Sequence, residues 1–237
     1  VLDVKVGSGA FMKTLADARL LAEEMVKIGK LCGRSMAAVI TSMDAPLGRA
    51  VGNSLEVIEA VDVLKGKVQG DLREICVVLA TEMVALIYGV SGDAARERVE
   101  SALDSGAVLE KMREWIAAQS GDVRYIDDTA LFPVAKFKHE VKAAHSGYVT
   151  AMNAEEIGIC SVILGAGRVH KEDAIDHSAG IVIEKTVGDF VSVGDVLCTM
   201  HTNNASTISD AEQRYLSAII IENEINEQMP LILDIVR

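Results

Sequence analysis

The first 41 residues alternate between strand and helix patterns, and this order restricts the fold more than any other feature of the sequence. The apolar opening at 1–6 predicts a strand, and apolar residues at helical spacing over 15–28 predict a helix that Thr14 caps and Gly33 ends. The continuous apolar run at 35–41 predicts a second strand, covered on both faces. Strand, helix and strand joined by short connections are typical of a parallel α/β unit.

The segment that follows, from 54 to 119, consists almost entirely of helix patterns. Two capping pairs, Asn53 with Glu56 and Asp71 with Glu74, predict two helix starts. Two more helices are predicted after them, at 93–104 and 108–119.

A connection at 125–133, rich in Asp and ending in Pro, separates two regions of different pattern. Before it, residues 1–124 are predicted to belong to an α/β domain in which part of a mixed or parallel sheet is covered by helices. After it, residues 134–237 are predicted to form an α+β region. The predicted fold class is therefore α/β, followed by an α+β C-terminal region.

Four features predict the elements of the C-terminal region. Period-2 alternation over 137–141 indicates a half-exposed strand, and Asn153 begins a helix that ends at Gly165. A helix at 209–222 and a closing strand at 231–236 complete the prediction.

A Val-Gly-Asp turn occurs twice, at 187–189 and 193–195. With Gly-Tyr-Val at 147–149, it resembles the small barrel-sandwich of biotinyl and lipoyl carrier domains, which implies a barrel-sandwich-like C-terminal region. Those carriers present a lysine at a hairpin, and the comparable segment 150–153 has none. Covalent carrier function is therefore disfavoured.

Charge, hydropathy and cysteine usage exclude several function classes. Acidic residues outnumber basic ones 35 to 23, a net charge of -12, so we expect no nucleic acid and no anionic membrane as partner. The apolar stretch at 75–80 is too short to cross a bilayer. Four cysteines without a CxxC pair indicate reduced thiols and a cytoplasmic location. The chain opens on a strand pattern without an initiator Met, so we expect it to continue a longer polypeptide.

The first candidate site is the loop Gly7-Ser8-Gly9 at the end of the first strand. A glycine loop at the carboxyl edge of a parallel strand can offer backbone N–H groups to an anion, and Asp3 and Lys5 lie beside it. The alternative is that the loop only connects two elements, and that Asp3 and Lys5 neutralise each other.

The second candidate is the loop at 42–53, together with Glu59 in the helix behind it. A loop rich in Gly and Pro can turn several carbonyl oxygens inward, and a carboxylate can complete an all-oxygen site for a hard cation. The alternative is that Glu56 caps the helix and Glu59 is a solvated helix residue.

The histidines form the third candidate. His170, Glu172, Asp173, Asp176 and His177 crowd one stretch, but their spacing matches no helical metal motif, so we expect a solvated loop. The remaining histidines, His139, His145 and His201, have no nucleophile motif such as GxSxG nearby, and no hydrolase is predicted.

Several segments together resemble the pyrimidine nucleoside phosphorylases, the family that includes thymidine phosphorylase, and the likeness covers essentially the whole chain. They are DVKVGSGAFM at 3–12, DAPLGRAVGN at 44–53, GYV at 147–149, LGAGR at 164–168 and VGD at 187–189.

The resemblance implies a reversible phosphorolysis, in which inorganic phosphate attacks the anomeric carbon of a pyrimidine nucleoside and releases the base and a pentose 1-phosphate. It also implies that the phosphate-binding and base-binding residues lie upstream of Val1, so that no catalytic residue is expected in this chain. The chain would be the second segment of the large α/β domain plus the C-terminal region, inactive without the upstream N-terminal part. A homodimer is implied for the whole protein.

Four residues of this chain match functional positions of the family. Phe11 corresponds to an apolar residue that lines the base pocket, and its alternative is an ordinary core aromatic. Leu47 and Ala50, through their carbonyls, and Glu59, through its carboxylate, match half of a structural cation site. Potassium is the first expectation for the cation, with calcium or magnesium as alternatives, and no organic cofactor is expected.

Two other functions stay open. One is a non-catalytic structural or binding module of the same fold. The other is a relative of the anthranilate phosphoribosyltransferases, which have an Asp-Glu pair at the first strand for magnesium diphosphate. Here Asp3 is followed by Val4 and Lys5, which favours the phosphorylase.

Overall fold

A computed structural model describes residues 1–225 and 229–237. In that part of the chain the strands are β1 (Leu2–Val6), β2 (Ala38–Ser42), β3 (Ala50–Val51), β4 (Phe137–Lys142), β5 (Gly147–Met152), β6 (Gly180–Ile183), β7 (Phe190–Val191), β8 (Val196–Thr202), β9 (Ile219–Glu222) and β10 (Ile232–Val236). The helices are α1 (Leu15–Leu31), α2 (Asn53–Leu64), α3 (Asp71–Tyr88), α4 (Gly92–Asp104), α5 (Ala107–Ala118), α6 (Arg124–Asp127), α7 (Ala154–Leu164) and α8 (Ile208–Ser217).

The chain divides into two compact units, each built from separate segments. Unit 1 consists of Val1–Met43, Val61–Ile126 and Met229–Arg237, and unit 2 of Asp44–Ala60 and Asp127–Gln228. The chain passes from unit 1 to unit 2 between Ile126 and Asp127, within the connection predicted at 125–133. A single boundary at 125–133 would place residues 44–60 in the first unit and residues 229–237 in the second. In the structure, residues 44–60 belong to unit 2 and residues 229–237 to unit 1.

Strand pairing explains why these two segments are exchanged. Ala50 and Val51 in β3 pair with Val182 and Ile181 in β6, which ties their loop to unit 2. The C-terminal strand β10 pairs antiparallel with β2, which ties the chain end to unit 1.

The sheet of unit 1 has the order β1–β2–β10. The pairing of β1 with β2 is parallel, from Leu2 opposite Ala38 to Val6 opposite Ser42, and it confirms the predicted strand–helix–strand unit. Helix α1 packs small buried residues, Ala18 and Ala22, toward the apolar face of this sheet. Because β10 is antiparallel, the sheet is mixed.

The predicted cap of α1 is confirmed. The Thr14 hydroxyl accepts a hydrogen bond from the backbone N–H of Asp17, and Gly33 after the helix has a left-handed φ of 71°.

The predicted starts of α2 and α3 at Asn53 and Asp71 are confirmed, but the predicted capping by the Asn53 and Asp71 side chains is wrong. Asn53 lies inside α2 and donates to the carbonyl of Ala166, while Glu56 accepts from the backbone N–H of Gly52. Helix α3 follows Gly70 without a side-chain cap. Glu74 instead forms two hydrogen bonds with Arg96 of α4, at 2.9 and 2.8 Å, and the Arg96 guanidinium lowers the Glu74 pKa.

Unit 2 has two antiparallel sheets, with orders β3–β6–β8–β4 and β7–β5–β9. Its core contains fully buried side chains from several of its elements, including Ile157, Ile181, Leu197 and Tyr215. The cap of α7 is as predicted, with the Asn153 side chain accepting from the N–H of Glu156. The fold class α/β with one mixed sheet is thus confirmed, whereas the barrel-sandwich likeness stays a prediction.

The predicted helix at 209–222 is wrong in its second half. Helix α8 ends at Ser217, and Ile219–Glu222 form strand β9, which pairs with β5. Three consecutive isoleucines favour the extended conformation once a partner strand is present.

The two Val-Gly-Asp turns have the same hydrogen bonds. The Asp189 and Asp195 carboxylates accept from the backbone N–H groups of Thr186 and Ser192, at 2.9 and 3.0 Å. The glycine of each turn has a positive φ, 95° at Gly188 and 88° in the second turn. The repeat is therefore a turn-forming device, in which the carboxylate closes each turn on itself.

Within the described residues no single helix is long and apolar enough to cross a membrane. The pair α3 and α4 meets that length and composition only when taken together, and it bends by 117° at its break.

Candidate functional site

The loop before α2 and the Glu59 side chain of that helix lie in direct contact. The Glu59 carboxylate accepts two backbone hydrogen bonds, from the N–H of Arg49 at 2.7 Å on Oε1 and from the N–H of Ala50 at 3.0 Å on Oε2. Ala50 and Glu59, two of the three residues predicted to bind a cation, are thus in contact, but through the N–H of Ala50 and not through its carbonyl, and Leu47 lies on the same loop. The alternative of a freely solvated Glu59 is wrong, because both carboxylate oxygens are engaged.

The peptide segment that Glu59 binds is also held from its other side. The Arg49 carbonyl accepts from the N–H of Ile183 at 2.7 Å, and the Arg49 guanidinium donates to the carbonyl of Glu184 at 2.8 Å. This part of the loop is therefore fixed by β6 of unit 2 as well as by the helix.

The donor set of this loop fits a hard cation. Each carboxylate oxygen of Glu59 accepts one N–H and keeps a further lone pair, and the carbonyls of Leu47 and Ala50 are the predicted neutral donors. Oxygen-only sites suit potassium, calcium and magnesium. The Glu59 carboxylate occupies space beside Gly48 that a Cβ atom would fill. The Glu59 carboxylate is thus held in one place, with lone pairs left for a further partner.

Phe11 lies in the turn that follows β1, and its side chain is 93% exposed. The backbone around it is ordered by hydrogen bonds from the N–H of Gly7 to the carbonyl of Met12 and from Ala10 to Gly7. The alternative that Phe11 is a core aromatic is therefore wrong. The Phe11 ring therefore lies on the surface of this chain.

Three backbone N–H groups at the glycine loop are used within the chain, since those of Gly7, Gly9 and Ala10 donate to the carbonyls of Met12, Met43 and Gly7. Helix α1 begins only at Leu15, so Gly7-Ser8-Gly9 does not lead directly into its N-terminus. Thr14 and Asp17 occupy that N-terminus, and the acidic side chain there disfavours a bound anion beside it.

Asp3 and Lys5 on β1 pair with each other, as the structural alternative predicted. The Lys5 ammonium lies 2.8 Å from one Asp3 oxygen, and the other oxygen accepts from the Thr41 hydroxyl at 2.6 Å.

The histidine-rich stretch holds its carboxylates in local hydrogen bonds. Asp173 accepts from the N–H groups of Val169 and His170, and Asp176 accepts from Ser178. Across residues 1–225 and 229–237, no group of three or more His, Cys, Asp or Glu side chains is arranged to hold a metal ion.

Sequence reasoning did not single out Gly48 and Arg49 individually. Gly48 lies against the Glu59 carboxylate from the next helix, and the Arg49 side chain bonds to the carbonyl of Glu184, 135 positions further along the chain. No local spacing signals either contact.

Two family models match this sequence. Residues 1–109 match the glycosyl transferase family a/b domain, and residues 148–222 match the pyrimidine nucleoside phosphorylase C-terminal domain. The chain thus combines an α/β domain of a glycosyl transferase class with the C-terminal domain of a nucleoside phosphorylase class.

Similar proteins include the pyrimidine-nucleoside phosphorylases of Staphylococcus aureus strains bovine RF122, USA300 and N315. Each is 46% identical over 226 residues, which cover 95% of this chain and 52% of the relative. The chain belongs to the pyrimidine-nucleoside phosphorylase family, as the resemblance implied. It spans about half the length of these relatives.

Proposed function

We propose that this chain is the C-terminal part of an enzyme that cleaves pyrimidine nucleosides with inorganic phosphate. The observation that carries the proposal is the 46% identity over 95% of the chain to pyrimidine-nucleoside phosphorylases. The whole protein would be a pentosyltransferase.

In the proposed reaction a phosphate oxygen bonds to the anomeric carbon as the bond from that carbon to the base nitrogen breaks. The base leaves with the electron pair of that bond and takes up a proton, and the sugar becomes a pentose 1-phosphate. Such a transfer passes through an oxocarbenium-like state, so phosphate must lie beneath the sugar and donors must stabilise the departing base. The family resemblance assigns those groups to the upstream part, so this chain alone is proposed to be inactive.

We propose that this chain contributes Phe11 to the base pocket. Its ring is 93% exposed on a turn at the carboxyl end of β1, the edge at which α/β sheets bind ligands. An apolar ring in that place suits the flat face of a pyrimidine base.

Leu47, Ala50 and Glu59 are proposed to hold half of a structural cation site. Potassium is the proposed ion, with calcium and magnesium as alternatives. The ion would supply no chemistry to the reaction; it would hold this loop to the phosphate-binding loop of the upstream part.

The paired state of Asp3 disfavours the phosphoribosyltransferase alternative. Magnesium diphosphate would need acidic side chains that are available at β1, and Asp3 is already engaged by Lys5 and Thr41.

An upstream part is further supported by the position of β1. Within the described residues β1 is at the edge of its sheet, although Val4 and Val6 are buried and parallel strands of this kind normally lie inside a sheet. Helix α1 also exposes large apolar side chains, Leu20 at 61% and Leu31 at 81%. We propose that the upstream part covers this region.

The whole protein is further proposed to be a homodimer. It is also proposed to work in the cytoplasm, where the four free cysteines of this chain would stay reduced.

The test is the release of uracil from uridine and of thymine from thymidine, measured by absorbance with and without phosphate. The whole protein is expected to release base only with phosphate or arsenate, and this chain alone is expected to release none. A whole protein that releases no base under any condition would favour the non-catalytic module instead.

A further inference from the structure

Gly48 lies directly against the Glu59 carboxylate. A Cβ atom at residue 48 would lie 2.4 Å from Oε2, 3.1 Å from Oε1 and 3.0 Å from Cδ of Glu59. Contacts below 3.0 Å essentially never occur for a real Cβ atom, so every residue except glycine forces something to move.

The atom that must move is the end of a flexible side chain. The φ angle of Gly48 lies outside the left-handed region, so alanine fits its backbone without strain. Substitution would therefore displace the Glu59 carboxylate and leave the peptide in place. The displaced carboxylate would lose its hydrogen bonds from the Arg49 and Ala50 N–H groups.

Arg49 fixes the other side of the same contact. Its guanidinium donates to the Glu184 carbonyl, and its own carbonyl accepts from the Ile183 N–H. Since the side chain of Arg49 is exposed, it can be shortened without opening the core.

We infer that Gly48 and Arg49 are positioning residues that determine the cation affinity of the loop, by holding the Glu59 carboxylate in one place. This inference rests on the proposed cation site. The two N–H bonds and the space at Gly48 define the carboxylate position before any ion binds, so the ion does not have to order it. Partners of this kind, which orient a metal ligand, typically change metal affinity by about 10–100-fold when removed.

The test uses the whole protein, with melting temperature followed during a potassium chloride titration in which choline chloride keeps the ionic strength constant. Gly48→Ala is expected to weaken the apparent potassium affinity by about 10-fold or more, and Arg49→Met to weaken it in the same direction. Gly158→Ala is the matched control, because a Cβ at that helix position in the same unit meets nothing within 4 Å. It is expected to bind potassium like the wild type.

A second readout does not depend on the ion. Amide hydrogen exchange at Arg49 and Ala50 is expected to accelerate in Gly48→Ala, because both N–H groups lose their acceptor. Gly158→Ala is expected to leave both rates unchanged.

The outcomes distinguish failure of the proposed cation site from failure of the positioning role of Gly48 and Arg49. If potassium does not raise the melting temperature of the wild type while Gly48→Ala still accelerates exchange at Arg49 and Ala50, the cation site is wrong and the positioning contact is real. If the wild type responds to potassium and Gly48→Ala keeps both its affinity and its exchange rates, the positioning inference is overturned. Arg49→Met with wild-type affinity would remove Arg49 from it.

Discussion

Gly52→Ala is expected to destabilise unit 2 strongly, because two backbones meet at this residue. A Cβ at Gly52 would lie 2.5 Å from the carbonyl oxygen of Ala179 and 2.8 Å from the Cα of Gly180. The approach is mutual, since a Cβ at Gly180 would lie 2.4 Å from the carbonyl oxygen of Val51. Unlike at Gly48, the opposing atoms belong to the main chain and cannot rotate away.

Two costs add at this position. The φ of Gly52 is 140°, a region that residues with a side chain rarely adopt, and holding alanine there costs about 1–3 kcal/mol. Forcing the strands apart adds about 1–3 kcal/mol, as for other overpacked sites. The expected loss is therefore roughly 2–6 kcal/mol, a large part of the stability of an ordinary domain.

The assay is urea unfolding followed by far-ultraviolet circular dichroism. Gly158→Ala again serves as the control, since alanine inside an open helix position is expected to stabilise by up to about 1 kcal/mol. If Gly52→Ala unfolds at the same urea concentration as the wild type, the close approach of β3 and β6 is wrong.

Three further substitutions test other contacts. Arg237→Met removes the partner of Glu82, whose side chain is 5% exposed, and should lower the free energy of unfolding in urea by about 1.5–3 kcal/mol. The loss stays below that of a fully buried pair because Arg237 is exposed to solvent, and an unchanged urea midpoint would contradict the pairing. Burial, with a smaller effect of Lys138, lowers the pKa of His201 below 6.5. The unfolded chain therefore binds more protons than the folded one, and the stability of the wild type should fall as pH drops below 6.5. His201→Gln should make stability depend less on pH, and an equal slope in both proteins would refute this prediction. Ile157→Ala opens a cavity in the core of unit 2 and should cost about 2–5 kcal/mol, whereas a loss below about 1 kcal/mol would show that the site is not packed as described.

Local patterns predicted the elements whose side chains act within their own segment. Thr14 and Asn153 cap their helices because each bonds an N–H three residues away, and the parallel unit followed from short connections. The turns at Asp189 and Asp195 closed on themselves for the same reason.

The prediction failed where distant partners decided the structure. Asn53 bonds to Ala166 and Glu74 to Arg96, so neither side chain is available as a cap. For the candidate site, the family resemblance pointed to Glu59, but the two N–H bonds that hold it depend on how the loop folds back. No periodicity encodes that contact.

The most direct test of the central claim is phosphorus NMR of reaction mixtures that contain uridine, phosphate and either the whole protein or this chain. The account predicts that the whole protein converts inorganic phosphate into a sugar phosphate in step with uracil release, and that this chain converts none. Uracil release without phosphate consumption would mean hydrolysis, and sugar phosphate formed by this chain alone would place the catalytic groups within it; either result would contradict the account.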